Sequence, residues 1–201
     1  MTICCEPSVV EDRQRSVLHV VLAINAAMFI AEFGAGLFAH STALLADSLD
    51  MLGDALVYAF SLYVLARGER WQAGAALLKG GIMAAFGLGV VAEVVLKIVH
   101  RVVPTAEVMG LFGVLALGAN ILCLVLLLRH RRDDINMRSA WMCSRSDVIA
   151  NGGVLVAAVG VALTGSGWPD IGVGAVIATV FGMSAWRVIR EAAGQLALRS
   201  R

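Results

Sequence analysis

Four side chains in apolar parts of the sequence have the types and spacing of metal ligands. Asp50 and Asp54 are four residues apart in one apolar segment, and Cys143 and Asp147 are four residues apart in another. Residues at i and i+4 of a helix lie on one face, about 5–6 Å apart at Cβ, so each pair can hold one small cation. Two facing pairs would supply three carboxylates and one thiolate, a set that suits tetrahedral zinc. The single soft ligand also admits cadmium.

Three further residues are candidate accessory ligands. Asp47 lies three residues before Asp50 and extends the acidic stripe along the same helix face. A role at the start of the helix is the alternative for Asp47. Cys4 and Cys5 are adjacent near the N-terminus, where thiolates would capture a soft metal ion and deliver it to the membrane. A tail with incidental cysteines is the alternative for this pair.

The composition predicts that these residues lie in a membrane. Hydrophobic residues make up 59% of the 201 residues and charged residues 15%, whereas soluble domains have about 45–50% and about 25%. The net charge of +1, with scattered basic residues, excludes nucleic acid as a partner. Six apolar segments are each long enough to cross a hydrocarbon core of about 30 Å. They cover approximately residues 17–38, 42–66, 76–99, 106–128, 139–164 and 169–188.

These segments predict an all-α protein, a six-helix transmembrane bundle with membrane lipid as its surroundings. We expect a cytoplasmic tail over residues 1–16, the transmembrane domain over 17–190 and a short cytoplasmic tail over 191–201. Basic residues accumulate on the cytoplasmic side of membrane proteins. With six spans both termini lie on one side of the membrane, and only Lys97 and Arg101 are assigned to the opposite side. Both termini are therefore predicted to be cytoplasmic, in a multi-pass protein of the bacterial inner membrane. The residues on the cytoplasmic side are Arg13, Arg15, Arg67, Arg70, Lys79, Arg129, Arg131, Arg132, Arg138, Arg187, Arg190, Arg199 and Arg201.

Other polar residues inside the predicted spans have structural interpretations. Arg145 points away from Cys143 and Asp147 on the same helix, so we expect an ion pair with an acid. Side-chain amides within spans predict hydrogen bonds between helices, each worth about 0.6–2 kcal/mol. The acids available to Arg145 are Glu32, Asp47 and Glu93, and the amides are Asn25, Asn120 and Asn151.

The second and fifth predicted helices carry a family resemblance. Residues 40–54, HSTALLADSLDMLGD, resemble the second-helix signature of the cation diffusion facilitator family, whose members have His or Asp four residues before Asp. The fifth helix of that family usually has His-x-x-x-Asp, and Cys143 here takes the place of the histidine. The resemblance extends over residues 17–195. It implies export of divalent metal ions from the cytoplasm in exchange for protons, with these two helices forming the transport site.

The resemblance also sets an expectation about size. Family members commonly continue after the sixth helix into a cytoplasmic metal-binding and dimerising domain, whereas this sequence ends at Arg201. We therefore expect a transmembrane-only member, and a homodimer stays open.

The predicted function is proton-coupled efflux of divalent transition metals. Zinc and cadmium are favoured because of the thiolate, with cobalt and nickel as further candidates. The metal is then the substrate, so we expect neither a cofactor nor an enzymatic activity. Two alternatives stay open from sequence. One is an intramembrane serine hydrolase that uses Ser166 in Gly165-Ser166-Gly167, and the other is a non-transporting scaffold subunit.

Overall fold

The chain forms the six predicted helices. The computed structural model describes residues 12–63, 69–129 and 135–199. The helices are α1 (Asp12–Ala39), α2 (Thr42–Tyr63), α3 (Glu69–His100), α4 (Ala106–Leu128), α5 (Ile135–Thr164) and α6 (Trp168–Arg199). With 1.5 Å per residue, the 22 residues of α2, the shortest helix, extend over about 33 Å. Each helix is therefore long enough to cross the hydrocarbon core.

Residues with left-handed backbone conformations end three of the helices. His40 (φ 51°), Arg101 (φ 52°) and Gly165 (φ 60°) directly follow α1, α3 and α5. At the end of α1 the Ser41 N–H donates to Gly36 O at 2.9 Å and the His40 N–H to Leu37 O at 3.3 Å. This pair of bonds satisfies carbonyls that the helix itself leaves open. We call this end of the bundle, where α2, α4 and α6 begin, the outer end, and the opposite end the inner end.

Helix α2 lies at the centre of the bundle. It packs against each of the other five helices, whereas α3 packs chiefly against α6. Helices α1, α2, α5 and α4 form a closed group, because each packs against the next and α4 packs against α1. The α3–α6 pair packs against this group through α2 and α5. Polar residues of α2 are therefore surrounded by protein on most sides.

The distribution of polar and apolar side chains is that of a membrane protein. Large apolar side chains point outwards, and those of Ile30, Phe38, Leu88 and Leu163 are at least 70% exposed. Charged and amide side chains are instead found in the interior. By length and composition, five helices can cross a membrane, in the segments Arg15–Ala39, Gly80–His100, Ala106–Leu128, Ser144–Thr164 and Trp168–Arg187. The remaining helix, α2, carries three acids and is shielded from lipid by its central position.

Glycines let α2 approach its neighbours closely at the outer end. A Cβ on Gly174 of α6 would lie 2.7 Å from the Thr42 carbonyl carbon and 2.9 Å from Ala43 N. A Cβ on Gly36 of α1 would lie 2.9 Å from Leu45 Cγ. Small residues at such positions allow backbones in membranes to pack closely. The outer ends of α1, α2 and α6 are therefore tightly closed in this structure.

Candidate metal centre

A layer of acids separates two apolar clusters inside the bundle. The larger cluster, towards the outer end, includes Leu44, Leu49 and Val154. The smaller cluster, towards the inner end, includes Leu18 and Tyr58. Along α2 and α5 the acids Asp50, Asp54 and Asp147 come between residues of these two clusters.

The depth of this layer corresponds to the middle of the membrane. Asp54 is twelve residues from the first residue of α2, or about 18 Å along a helix of about 33 Å. A charge at this depth costs about 2.5–3.5 kcal/mol on insertion scales and is kept where it has a function or a partner.

Asp54 and Asp147 lie buried on two helices, α2 and α5, that pack against each other. The Asp54 side chain is 9% exposed and that of Asp147 7%, and the two carboxyl groups are near enough to interact electrostatically across the helix interface. Asp50, which is partly exposed, lies near enough to interact electrostatically with both. Three of the four predicted ligands therefore lie in the same layer of the bundle.

The fourth predicted ligand and two accessory candidates cannot be placed. Cys143 belongs to α5, four residues before Asp147, but its side chain lies outside the described residues, as do Cys4 and Cys5. Within the described part of the chain, no three His, Cys, Asp or Glu side chains are gathered closely enough to hold one metal ion. The four-ligand set accordingly stays a prediction.

Tyr58 orients one of the acids. Its hydroxyl donates a hydrogen bond of 2.8 Å to Asp54 Oδ2, and its side chain is only 1% exposed. Because Tyr58 is four residues after Asp54, both lie on one face of α2. The same spacing would have predicted this contact from the sequence.

A second pair of acids lies nearer the outer end. Glu32 of α1 is 0% exposed and Asp47 of α2 is 1% exposed, and their carboxyl groups interact across the α1–α2 interface. Asn151 of α5 donates from Nδ2 to Asp47 Oδ1 at 3.2 Å and to Asp147 O at 2.8 Å. The accessory candidate Asp47 thus belongs to a pair with Glu32, a residue that the sequence assigned only to an ion pair with Arg145.

The expected ion pair of Arg145 is wrong. Arg145 is exposed on α5, and within the described ranges it forms no ion pair with Glu32, Asp47 or Glu93. Two predicted amide contacts do connect helices, that of Asn151 described above and one from Asn25 Nδ2 to Cys123 Sγ at 3.8 Å.

A buried ion pair at the outer end was missed by sequence reasoning. Lys97 Nζ of α3 donates to Asp170 Oδ2 of α6 at 2.5 Å, and both side chains are fully buried. Asp170 also accepts hydrogen bonds from Ser41 Oγ (2.5 Å), Thr42 N (2.8 Å) and Ala43 N (3.1 Å). The carboxylate thereby neutralises the positive end of the α2 dipole. The sequence signal was that a base, Lys97, and an acid, Asp170, each fall within a predicted span.

Ser166 has a structural role at the start of α6. Its Oγ accepts a hydrogen bond of 3.4 Å from Trp168 N, and its own N–H donates to Thr164 Oγ1 at 3.3 Å. These contacts are typical of a serine that caps a helix.

The fold and the acidic layer define a class, that of multi-pass membrane proteins with a polar site between central helices. Residues 18–197 match the family model described as the cation efflux transmembrane domain. The chain therefore belongs to the cation efflux, or cation diffusion facilitator, family, as the sequence resemblance predicted.

Curated relatives of this chain are bacterial metal transporters. The zinc transporter ZitB of Yersinia pestis is 27% identical, over 92% of this chain and 64% of the relative. The metal cation efflux system protein CzcD of Cupriavidus metallidurans is 25% identical, over 80% and 54%. The cadmium, cobalt and zinc/H(+)-K(+) antiporter of Bacillus velezensis is 22% identical, over 88% and 61%. The chain thus spans between about half and two thirds of the length of these relatives.

Proposed function

We propose that this chain is a proton-coupled efflux transporter of divalent transition metals, with zinc or cadmium as its main substrate. The observation that carries the proposal is the burial of two acids, Asp54 and Asp147, on the packed helices α2 and α5 in the interior of the bundle. Two carboxylates cannot both stay charged and adjacent in a dry interior unless a cation or protons neutralise them. A site of this kind binds a divalent ion and protons alternately.

Competition at one site provides the coupling. Carboxylates and thiolates bind metal in their deprotonated forms, so metal binding releases protons and protons displace metal. If the helices open the site first to the cytoplasm and then to the outside, an inward proton gradient drives metal outwards. The Bacillus velezensis relative is named as a cadmium, cobalt and zinc/H(+)-K(+) antiporter, which supports this scheme.

Asp50, Asp54, Cys143 and Asp147 are the proposed ligands of the transported ion. Carboxylate oxygens bind zinc at about 2.0–2.2 Å and a thiolate at about 2.3 Å. The thiolate favours zinc and cadmium over magnesium and manganese. The ion is substrate, and we expect no catalytic reaction.

The closed outer end supports loading from the inner end. Asp170 joins α6 to the first residues of α2 and to Lys97 of α3, and Gly174 packs directly against Thr42. Release to the outside would require α2 and α6 to separate at these contacts.

Metal flux into vesicles tests the proposal. The protein is reconstituted into proteoliposomes that contain a fluorescent zinc indicator, zinc is added outside, and an opposing pH gradient is imposed. We expect zinc entry that depends on the gradient and that falls at least about tenfold in Asp54→Asn and in Asp147→Asn, because each change removes a ligand. Glu93→Gln is the matched control, since Glu93 lies on α3 beside an apolar groove and should leave flux unchanged. Equal flux in wild type and Asp54→Asn would contradict the proposal.

A further inference from the structure

Glu32 and Asp47 form a buried pair of acids in the interior of the protein. Neither oxygen of Glu32 has a hydrogen-bond partner among the described residues, and neither does Asp47 Oδ2. Asp47 Oδ1 accepts from Asn151 Nδ2, which fixes the orientation of the Asp47 carboxyl group. Three carboxyl oxygens are therefore buried and available at the α1–α2 interface.

Leaving these oxygens without partners is costly. A buried polar atom without a hydrogen bond is destabilising, and more so when its group is charged. No described Lys or Arg forms an ion pair with either carboxyl group. Such a pair is neutralised either by protons or by a positively charged ligand that approaches from within the bundle.

The pair is connected to the metal centre and lies on its outer side. Asp47 precedes Asp54 by seven residues on α2, which is about 10 Å along the helix towards the outer end. On α5, Asn151 is one turn beyond Asp147, and its Nδ2 contacts both the Asp147 carbonyl and Asp47. Asn151 Oδ1 is itself buried and has no partner among the described residues.

We infer that Glu32 and Asp47, positioned by Asn151, form a second cation site that receives the divalent ion between the metal centre and the outer end. The identity of the ion rests on the proposed function. The site offers carboxylate oxygens and no sulfur, so it binds zinc and cadmium less selectively than the first site and accepts manganese readily. The second site lies on the outer side of the metal centre and binds soft ions more weakly than the first site does. Both properties suit a site that the ion occupies just before its release.

Manganese binding in the absence of the first site provides the test. The full chain is purified in detergent with Asp54→Asn and Asp147→Asn, and bound Mn²⁺ is measured by electron paramagnetic resonance alongside equilibrium dialysis with Zn²⁺. We expect one ion to remain bound per chain. Adding Glu32→Gln, or separately Asp47→Asn, should weaken this binding at least tenfold. Adding Glu93→Gln instead is the control and should leave it unchanged.

The possible failures are distinguishable. If wild type transports zinc but the variant without the first site binds neither ion, the second site is wrong and the transport function stands. If Glu32→Gln raises thermal stability and leaves the remaining binding unchanged, the two acids are a structural pair that shares a proton, and the inference is also wrong. If wild type neither binds nor transports zinc, both proposals fall.

Discussion

Replacing Lys97 with methionine should destabilise the bundle, because the change leaves a buried carboxylate without its counter-ion. The Lys97 ammonium group is the cation that contacts Asp170 in the described part of the chain, and both side chains are fully buried. Methionine has a similar length and no charge, so the substitution removes the ion pair with little loss of packing.

The size of the effect follows from the contacts that remain. Removing one partner of a buried ion pair costs about 3–5 kcal/mol. Three of the four donors to Asp170, from Ser41, Thr42 and Ala43, are still present, so we expect the lower end, about 3 kcal/mol. For a protein of 150–250 residues, this corresponds to a fall in Tm of about 6–12 °C.

Thermal unfolding in detergent, followed by size-exclusion chromatography of the heated samples, measures the effect. Arg187→Met is the matched control, because Arg187 is exposed on α6 and its loss should cost under about 0.5 kcal/mol. The combined variant Lys97→Met with Asp170→Asn should lose less than the sum of the single changes, because the two side chains interact. A Tm for Lys97→Met equal to that of Arg187→Met would refute this reasoning.

Three further predictions concern α6 packing, metal selectivity and pH. Gly174→Ala should cost about 1–3 kcal/mol in thermal unfolding because its Cβ meets the Thr42 backbone at 2.7 Å, whereas Gly172→Ala, with open space around it, should not. In cells exposed to each metal, Cys143→His should protect less against cadmium and more against zinc than wild type does, because imidazole is a harder ligand than thiolate. Equal protection by both proteins against both metals would contradict this. Zinc affinity measured by dialysis should fall as pH falls because protons compete for the ligands; a constant affinity would argue against competition.

The helices were predictable because a long apolar segment of the sequence is typical of a membrane-spanning helix. The segment predicted at 106–128 is α4 (Ala106–Leu128), and the segment at 17–38 lies within α1 (Asp12–Ala39). The segment at 169–188 instead continues to Arg199 in α6. The end of an apolar segment indicates where the helix leaves the lipid. The helix itself can continue into water, because its backbone hydrogen bonds are formed within the helix.

The acids of the site were predictable in part. Asp54 and Asp147 stood out because a charged residue in an apolar span is kept where it has a function or a partner, and both are buried on helices that pack together. The partners of Lys97 and Glu32 did not follow from the sequence, because they depend on which helices are neighbours. Lys97 and Asp170 are 73 residues apart in the sequence. The pattern of residues along one helix does not show which other helix packs against it.

X-ray absorption spectroscopy of the protein loaded with one zinc ion per chain tests the proposed metal centre most directly. The sample carries Cys4→Ser and Cys5→Ser, so that sulfur from the N-terminus cannot contribute. Binding by Asp50, Asp54, Cys143 and Asp147 predicts one sulfur at about 2.3 Å and three oxygens at about 2.0–2.2 Å, with the sulfur lost in Cys143→Ser. A zinc shell without sulfur, or one that Asp54→Asn leaves unchanged, would contradict the account.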